Sequence, residues 1–450
     1  VFGSAQSAGC GADARPVAAN KAAEEAMDDG SVEFRDAAAA EAWSLPLEAL
    51  NPAQAKLFEA DAHWPIFERL RAEAPIHYSP RNDVYDGYWS VTRYQDIMAV
   101  DTNHEVFSSA DGIVLQTIEA QAEADKRPRG NSFIAMDPPG HDVQRKAVSP
   151  AVAPANLAQM APLIRERAGK ILDGLPIGEE FDWVDLVSKE LTAMTLATLF
   201  DYPQERRRDL TFWSDMFTNA PGFGPAKSWA HKREQADACF DAFDVLWKER
   251  VNAPPKFDLV SMMAHADATR NLSATDYHSN VVLLIIGGND TTRNTISGSV
   301  YALNKNPDQY RKLRENPDLI PSMVSETIRW QTPLAHMART ATRHFDLGGK
   351  TIREGDRVVM WYVSGNRDEA QIENPNAYVI DRERPRNHLS FGFGIHRCVG
   401  NRLAELQLTI IWEEILRRFP NIELVREPMR THSVFVKGYE TLPVVIPARN

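Results

Sequence analysis

The sequence is poor in cysteine: three in 450 residues, Cys10, Cys239 and Cys398, far apart and without a CxxC pair. Three such thiols cannot make a disulfide framework, and they point to a reducing, cytoplasmic compartment. Long apolar runs are also missing. The longest, residues 281–286, falls far short of the roughly 18 residues a membrane span needs and leads into Gly287-Gly288. The first thirty residues have neither a basic start nor an apolar stretch, so no secretory leader is expected. An excess of positive charge is absent as well. The net charge of −12 argues against wholesale binding to nucleic acid or to an anionic membrane. A soluble protein without a membrane anchor is the expectation.

What is present is ordinary for a globular chain: 43% apolar and 25% charged residues, with enough length for a large core. Residues 1–45 are Ala-rich and acidic with weak periodicity, and read as a loosely held arm or a short helix. Residues 46–450 show no linker and no repeat. Helical periodicity covers 157–172, 186–200, 210–217 and 236–251, and short strand signals lie at 88–91, 345–347, 357–361 and 441–446. A long helix starts at the capping box Ser273-Ala-Thr-Asp276 and runs to about Asn304; another starts after Cys398 and stops before Pro420. The expected fold is mainly α: one large helix-rich domain with small β-sheets.

The densest signal is Phe391-Gly392-Phe393-Gly394-Ile395-His396-Arg397-Cys398-Val399-Gly400. Its paired glycines permit a tight excursion of the backbone. Cys398 then stands at a helix start, where free N–H groups and the helix dipole lower a thiol pKa. A thiolate held there suits haem iron and favours O–O cleavage by electron donation. A zinc site is disfavoured, because no second ligand pair has suitable spacing. A dinucleotide loop is disfavoured because a third glycine is missing.

Inside the long helix lies Gly287-Gly288-Asn289-Asp290-Thr291-Thr292. Two helix-interior glycines cost roughly 1 kcal/mol each, so another reason is needed for them. Missing side chains would let a planar cofactor and a diatomic ligand approach. The Thr291 hydroxyl bonding back to the Gly287 carbonyl would open a groove. Asp290 beside it can bring protons from solvent, and an acid–alcohol pair makes a relay.

The cysteine loop, and upstream of it the Gly-Gly-Asn-Asp-Thr-Thr stretch, resemble the haem-ligand and oxygen-activation motifs of the cytochrome P-450 superfamily. The resemblance spans roughly residues 55–447. It implies haem b (iron protoporphyrin IX), with Cys398 as the metal ligand inside a loop that includes Phe391 and Gly400, Gly288 beside the cofactor, and Asp290 with Thr291 as the catalytic pair. It implies that His396, Arg339, His141 and Arg145 reach the haem propionates, for which the planar fork of arginine is well suited. Glu326 and Arg329, at i and i+3 on one helix, are implied to join Arg384 in a structural triad. The runs 284–294, 326–336 and 435–440 resemble more narrowly the bacterial alkane and fatty-acid terminal (omega) hydroxylase branch.

That likeness implies a monooxygenase that hydroxylates medium-chain alkanes or fatty acids at the terminal methyl. The apolar channel is expected from Leu115, Ile286, Gly287, Leu334, Ala335, Met337 and Phe435. No flavin or nicotinamide domain and no four-cysteine iron–sulfur motif is attached, so electrons are expected from a ferredoxin fed by a ferredoxin reductase. Hydroxylation of a sterol or terpene stays open. A haem-based gas sensor and a peroxide-driven enzyme also compete, but neither needs the Asp290–Thr291 pair.

Overall fold

The computed structural model describes residues 32–450; the first 31 residues of the expected arm, Cys10 among them, lie outside the described residues. The rest of that arm is not loose. Residues 32–44 form a helix, as an alanine-rich stretch readily does. Its Ala38 and Ala42 pack with Leu50, Leu57, Ile66 and Leu70, and Arg69 donates to the carbonyls of Ala42 (2.8 Å) and Leu45 (2.6 Å). Packing therefore continues across residue 45.

The helices that build the site are α1 (Ile118–Ala124), α2 (Gly140–Val148), α3 (Pro154–Asp173), α4 (Glu190–Phe200), α5 (Arg207–Thr218), α6 (Trp229–Val251), α7 (Ala274–Lys305), α8 (Ile320–Gln331) and α9 (Asn401–Arg418). Three of the periodic stretches sit inside α3, α5 and α6, and the fourth, 186–200, runs from a π-helical segment into α4. Two differ at their start. A π-helical segment, Val184–Lys189, precedes α4. Helix α6 begins seven residues before 236, because a polar first two turns hide its start; Ser228 caps it by accepting the His231 N–H at 3.1 Å. Among the described residues no helix is long and apolar enough to cross a membrane.

Helix α7 is the axle of the fold. Ser273 caps it as expected, its hydroxyl accepting the Asp276 N–H at 3.1 Å. From Thr292 to Leu303 every residue is buried, and α7 packs against α4, α5, α8 and α9. Close approach to α8 requires Gly298, where a Cβ would meet the Gln331 amide oxygen at 2.6 Å. A sheet flanks the helices, with strands β1 (Ile76–Ser79), β2 (Tyr88–Val91), β3 (Phe107–Ser108), β4 (Met337–Ala341) and β5 (Arg357–Met360) in the order β1-β2-β5-β4-β3. Strands β2 and β5 run parallel, and the other pairs run antiparallel. The expected strands at 88–91, 345–347 and 357–361 are present, and residues 443–445 pair with 180–182 and 423–424.

Helix α8 carries the Glu326–Arg329 pair, fully buried, with two bonds between guanidinium and carboxylate (2.7 and 2.8 Å). The third member is Arg382, not Arg384. Arg382 Nε donates to Glu326 Oε2 at 2.9 Å, whereas Arg384 is exposed. The cause is local: the Val379 N–H donates to Glu326 Oε1 at 2.8 Å, which pins the chain so that residue 382 turns inward. Arg382→Ala should cost roughly 2–3 kcal/mol, since Glu326 keeps Arg329 but loses a charged partner. Arg384→Ala should stay within about 0.5 kcal/mol of wild type. Urea unfolding of both variants checks this, and equal losses would contradict the assignment.

Candidate active site

The cysteine loop takes the excursion its glycines allow. Gly392 and Gly394 have φ of +65° and +64°, and the Cys398 N–H closes the turn onto the Phe391 carbonyl at 2.8 Å. The loop rests on a residue with no signal in the sequence, Asp101. Its carboxylate accepts the Phe393 N–H and the Tyr362 hydroxyl, both at 2.8 Å, and Arg339 Nη2 at 3.0 Å. A Cβ at Gly394 would stand 2.7 Å from the Asp101 carbonyl, so the fit of loop to Asp101 needs glycine there. Burial pushes the Asp101 carboxyl up, against the pull of Arg339 and its two other donors.

Cys398 lies deep in the fold, yet its surface is open, because it faces an internal cavity of about 550 Å³. Burial pushes its thiol up. The N–H groups of Gly400 and Asn401 and the cations Arg145 and Arg397 pull it down, as expected of a helix start, but by less.

Around the same cavity stand His396, Arg145 and Arg339. His141 packs edge-on against His396, with ring centres 4.5 Å apart. The His141 Nε2 and both nitrogens of His396 are buried without a hydrogen-bond partner, and burial holds the His396 imidazole down to about 3. Unpartnered buried nitrogens are costly, so these call for an acceptor from outside the chain. One sulfur, the His396 imidazole and two guanidiniums line one cavity, with His141 packed against His396, and this set fits a haem with two propionates.

Across the cavity runs α7. Thr291 Oγ donates to the Gly287 carbonyl at 3.0 Å, as expected. Gly287 has open space where a Cβ would stand. At Gly288 a Cβ would lie 2.6 Å from Leu196 of α4, so the second glycine also serves the packing of two helices. Asp290 differs from expectation. It is fully buried and does not line the cavity, so it has no direct access to solvent. Its Oδ1 accepts from Ser214 (3.0 Å), Asn289 (3.0 Å) and Arg293 (2.9 Å), while Oδ2 has no partner. Burial pushes this carboxyl up, against Arg293. Arg293 in turn bonds Asp215 (2.7 Å), and Lys189 reaches the far side of Asp215 (3.1 Å). A line of charged groups thus leads from Asp290 to half-buried Lys189. None of Arg293, Asp215 or Lys189 stood out in the sequence, because Asp215, which joins the other two, lies on α5, away from both.

Of the expected channel residues, Ile286, Gly287, Leu334, Met337 and Phe435 line the cavity. Leu115 and Ala335 do not. They pack in a separate cluster with Phe58, Phe67 and Trp361, drawn there by His336. The Leu115 N–H donates to His336 Nε2 (3.1 Å), so Nδ1 carries the proton and donates to the Val434 carbonyl (2.9 Å).

The comparisons with known proteins agree with this geometry. The family model for cytochrome P450 matches residues 227–439. Linalool 8-monooxygenase of Pseudomonas putida is 35% identical over 391 residues, covering 85% of this chain and 95% of its own. The methyl-branched lipid omega-hydroxylase of Mycobacterium tuberculosis is 31% identical over 391 residues, covering 84% of this chain and 90% of its own. Among solved structures, CYP153D17 from Sphingomonas sp. PAMC 26605 superposes with a TM-score of 0.82 at 44% identity, covering 87% of this chain and 98% of that one. Fold and site define a haem protein of the oxygen-using kind. The chain belongs to the cytochrome P450 family and is a P450 monooxygenase.

The cross-brace at His336 has a pH dependence. Burial lowers its imidazole from the ordinary 6.5 to about 4. Between those values the unfolded chain binds a proton that the folded chain does not, so stability is complete above about 6.5 and declines as pH falls toward 4. His336→Gln should shrink the fall in urea midpoint across that window. An unchanged slope would show that His336 is not its source.

Proposed function

We propose that this P450 hydroxylates the terminal methyl of medium-chain alkanes or fatty acids, and that the Cys398 thiolate would hold the iron of haem b. The observation that carries the reading is an apolar passage ending at Thr291. Val282, Leu283, Ile286 and Gly287 lie along one side of α7, with Leu334, Met337 and Phe435 also lining it. A primary C–H bond is stronger than the secondary one beside it, so terminal attack has to be imposed by steric guidance, and an apolar passage supplies that. The methyl-branched lipid omega-hydroxylase relative supports the same position of attack. A second reading, oxidation of a terpene, rests on the linalool 8-monooxygenase relative.

When bound, the haem supplies reduction of O2 and transfer of one oxygen atom into a C–H bond. The protein's own part is to hold and feed the centre. His141, Arg145, Arg339 and His396 would hold the propionates. The Phe391–Gly400 turn holds the sulfur in place, and a cation at that sulfur would offset the burial that raises its pKa. Thr291 offers its hydroxyl proton to the cavity. Asp290 behind it replaces that proton, and Arg293, itself held by Asp215, keeps the Asp290 carboxyl in place.

Electrons come from a ferredoxin, reduced by its reductase. The docking face carries the exposed cations Lys146, Arg386, Arg397 and Arg402 near the cysteine loop. Reduction that does not slow with added salt would contradict that docking.

Thr291→Ala should still bind substrate and consume reducing equivalents, while releasing more peroxide and less product. Intact coupling with collapsed substrate affinity would refute the proton role. Incubation with octane, dodecanoate and a sterol tests the position of attack. Terminal alcohols from the linear chains are expected; mainly internal alcohols, or turnover of the sterol alone, would overturn the reading.

A further inference from the structure

The cavity is not apolar throughout. At the N-terminal end of α7, Ser279, His278 and Thr275 line it, and Ser132 lines it as well. Ser132 belongs to the segment 130–133, which is strapped along the first two turns of α7. The Asn131 N–H donates to Asp276 (2.7 Å), the Phe133 N–H donates to Asn280 (3.1 Å), and a Cβ at Gly130 would meet the Ser279 hydroxyl at 2.6 Å. Ser132 is only 9% exposed. Thr275 is engaged with Ser273 at 3.0 Å, but neither the Ser132 nor the Ser279 hydroxyl has a partner among the described residues. His278 is fixed by Asp244 on Nε2 (2.8 Å) and stacks on Phe240, which leaves Nδ1 free. Two free hydroxyls and a ring nitrogen at the end of a greasy passage suit a polar group on the ligand.

The charges indicate which polar group. The cations that line the cavity, Arg145 and Arg339, are both at the Cys398 end. At the α7 start stand the carboxylates of Asp276 and Asp244, the latter paired with His278, and Arg129, beside Gly130, is already paired with Asp125. A carboxylate head would lose water there and gain no free cation. An uncharged hydroxyl both donates and accepts, and so suits two serines and an imidazole.

We propose that Ser132, Ser279 and His278 Nδ1 form a binding site for a neutral hydroxyl head, so that the preferred substrate is a linear primary alcohol oxidised at its far methyl. This rests on the terminal-hydroxylation reading and narrows its substrate class. The spacing fixes the length. Ser279 and the midpoint of Gly287–Thr291 are ten residues apart on one helix, about 15 Å at 1.5 Å per residue. An extended chain advances roughly 1.2 Å per bond, which gives about twelve bonds. The reaction breaks the far C–H bond and forms C–OH. The second oxygen of O2 leaves as water with two electrons from the redox partner and two protons.

The test is titration of the haem-loaded enzyme with dodecan-1-ol, dodecane and dodecanoate, read by the substrate-induced shift of the haem absorption band. Dodecan-1-ol is expected to bind most tightly. The ratio of alcohol to alkane affinity should fall roughly 10-fold in the Ser132→Ala/Ser279→Ala variant, the loss of two ordinary hydrogen bonds. An unchanged ratio, or dodecanoate binding more tightly than the alcohol, overturns the proposal. Analysis of octane products separates the two readings: terminal products with an unchanged ratio sink this inference alone, whereas internal products sink the terminal-hydroxylation reading beneath it.

Discussion

The buried carboxylate of Asp101 is the contact on which the site's geometry depends. It lies under the cysteine loop and receives a backbone N–H from that loop, a phenol from the segment after β5 and a guanidinium from β4. Three chain segments distant in sequence are thereby held to one point. A buried carboxylate with these donors is satisfied only when all three segments are in place, so the loop geometry and the position of Arg339 are set together. Glu326 acts in the same way behind α8, gathering Arg329, Arg382 and the Val379 N–H.

Helix α7 meets two opposed demands. Its C-terminal half is buried on every side and fixes the core, while its N-terminal half gives one face to the cavity. The change falls at Gly287–Thr291. One glycine leaves space at the cavity and the next admits Leu196. The helix therefore carries both structure and chemistry, with Thr291 toward the cavity and Asp290 turned into a buried line of charges on α5 and the segment before α4.

Much of this was legible in the sequence, where the signal is local. The glycine pair flanking Phe393, the Ser273 cap, the Thr291 back-bond and the Glu326–Arg329 spacing each need only a few neighbouring residues to be read. Contacts made across the fold were not legible. Asp101 is an ordinary helix-end acid until the loop folds onto it. Arg382 and Arg384 cannot be told apart without the Val379 N–H that orients the turn. Leu115 and Ala335 read as channel residues, since an apolar side chain carries no mark of which cluster it joins. Asp290 looked solvent-linked because its partners, Ser214 and Arg293 with Asp215, come together only when α5 packs on α7.

The central claim is that the Cys398 thiolate is the iron ligand. The most direct measurement is the absorption spectrum of the reduced protein under carbon monoxide, for wild type and Cys398→Ala. The account predicts a strongly red-shifted Soret band for the wild type and its loss in the variant. The same red-shifted band in the variant would contradict it.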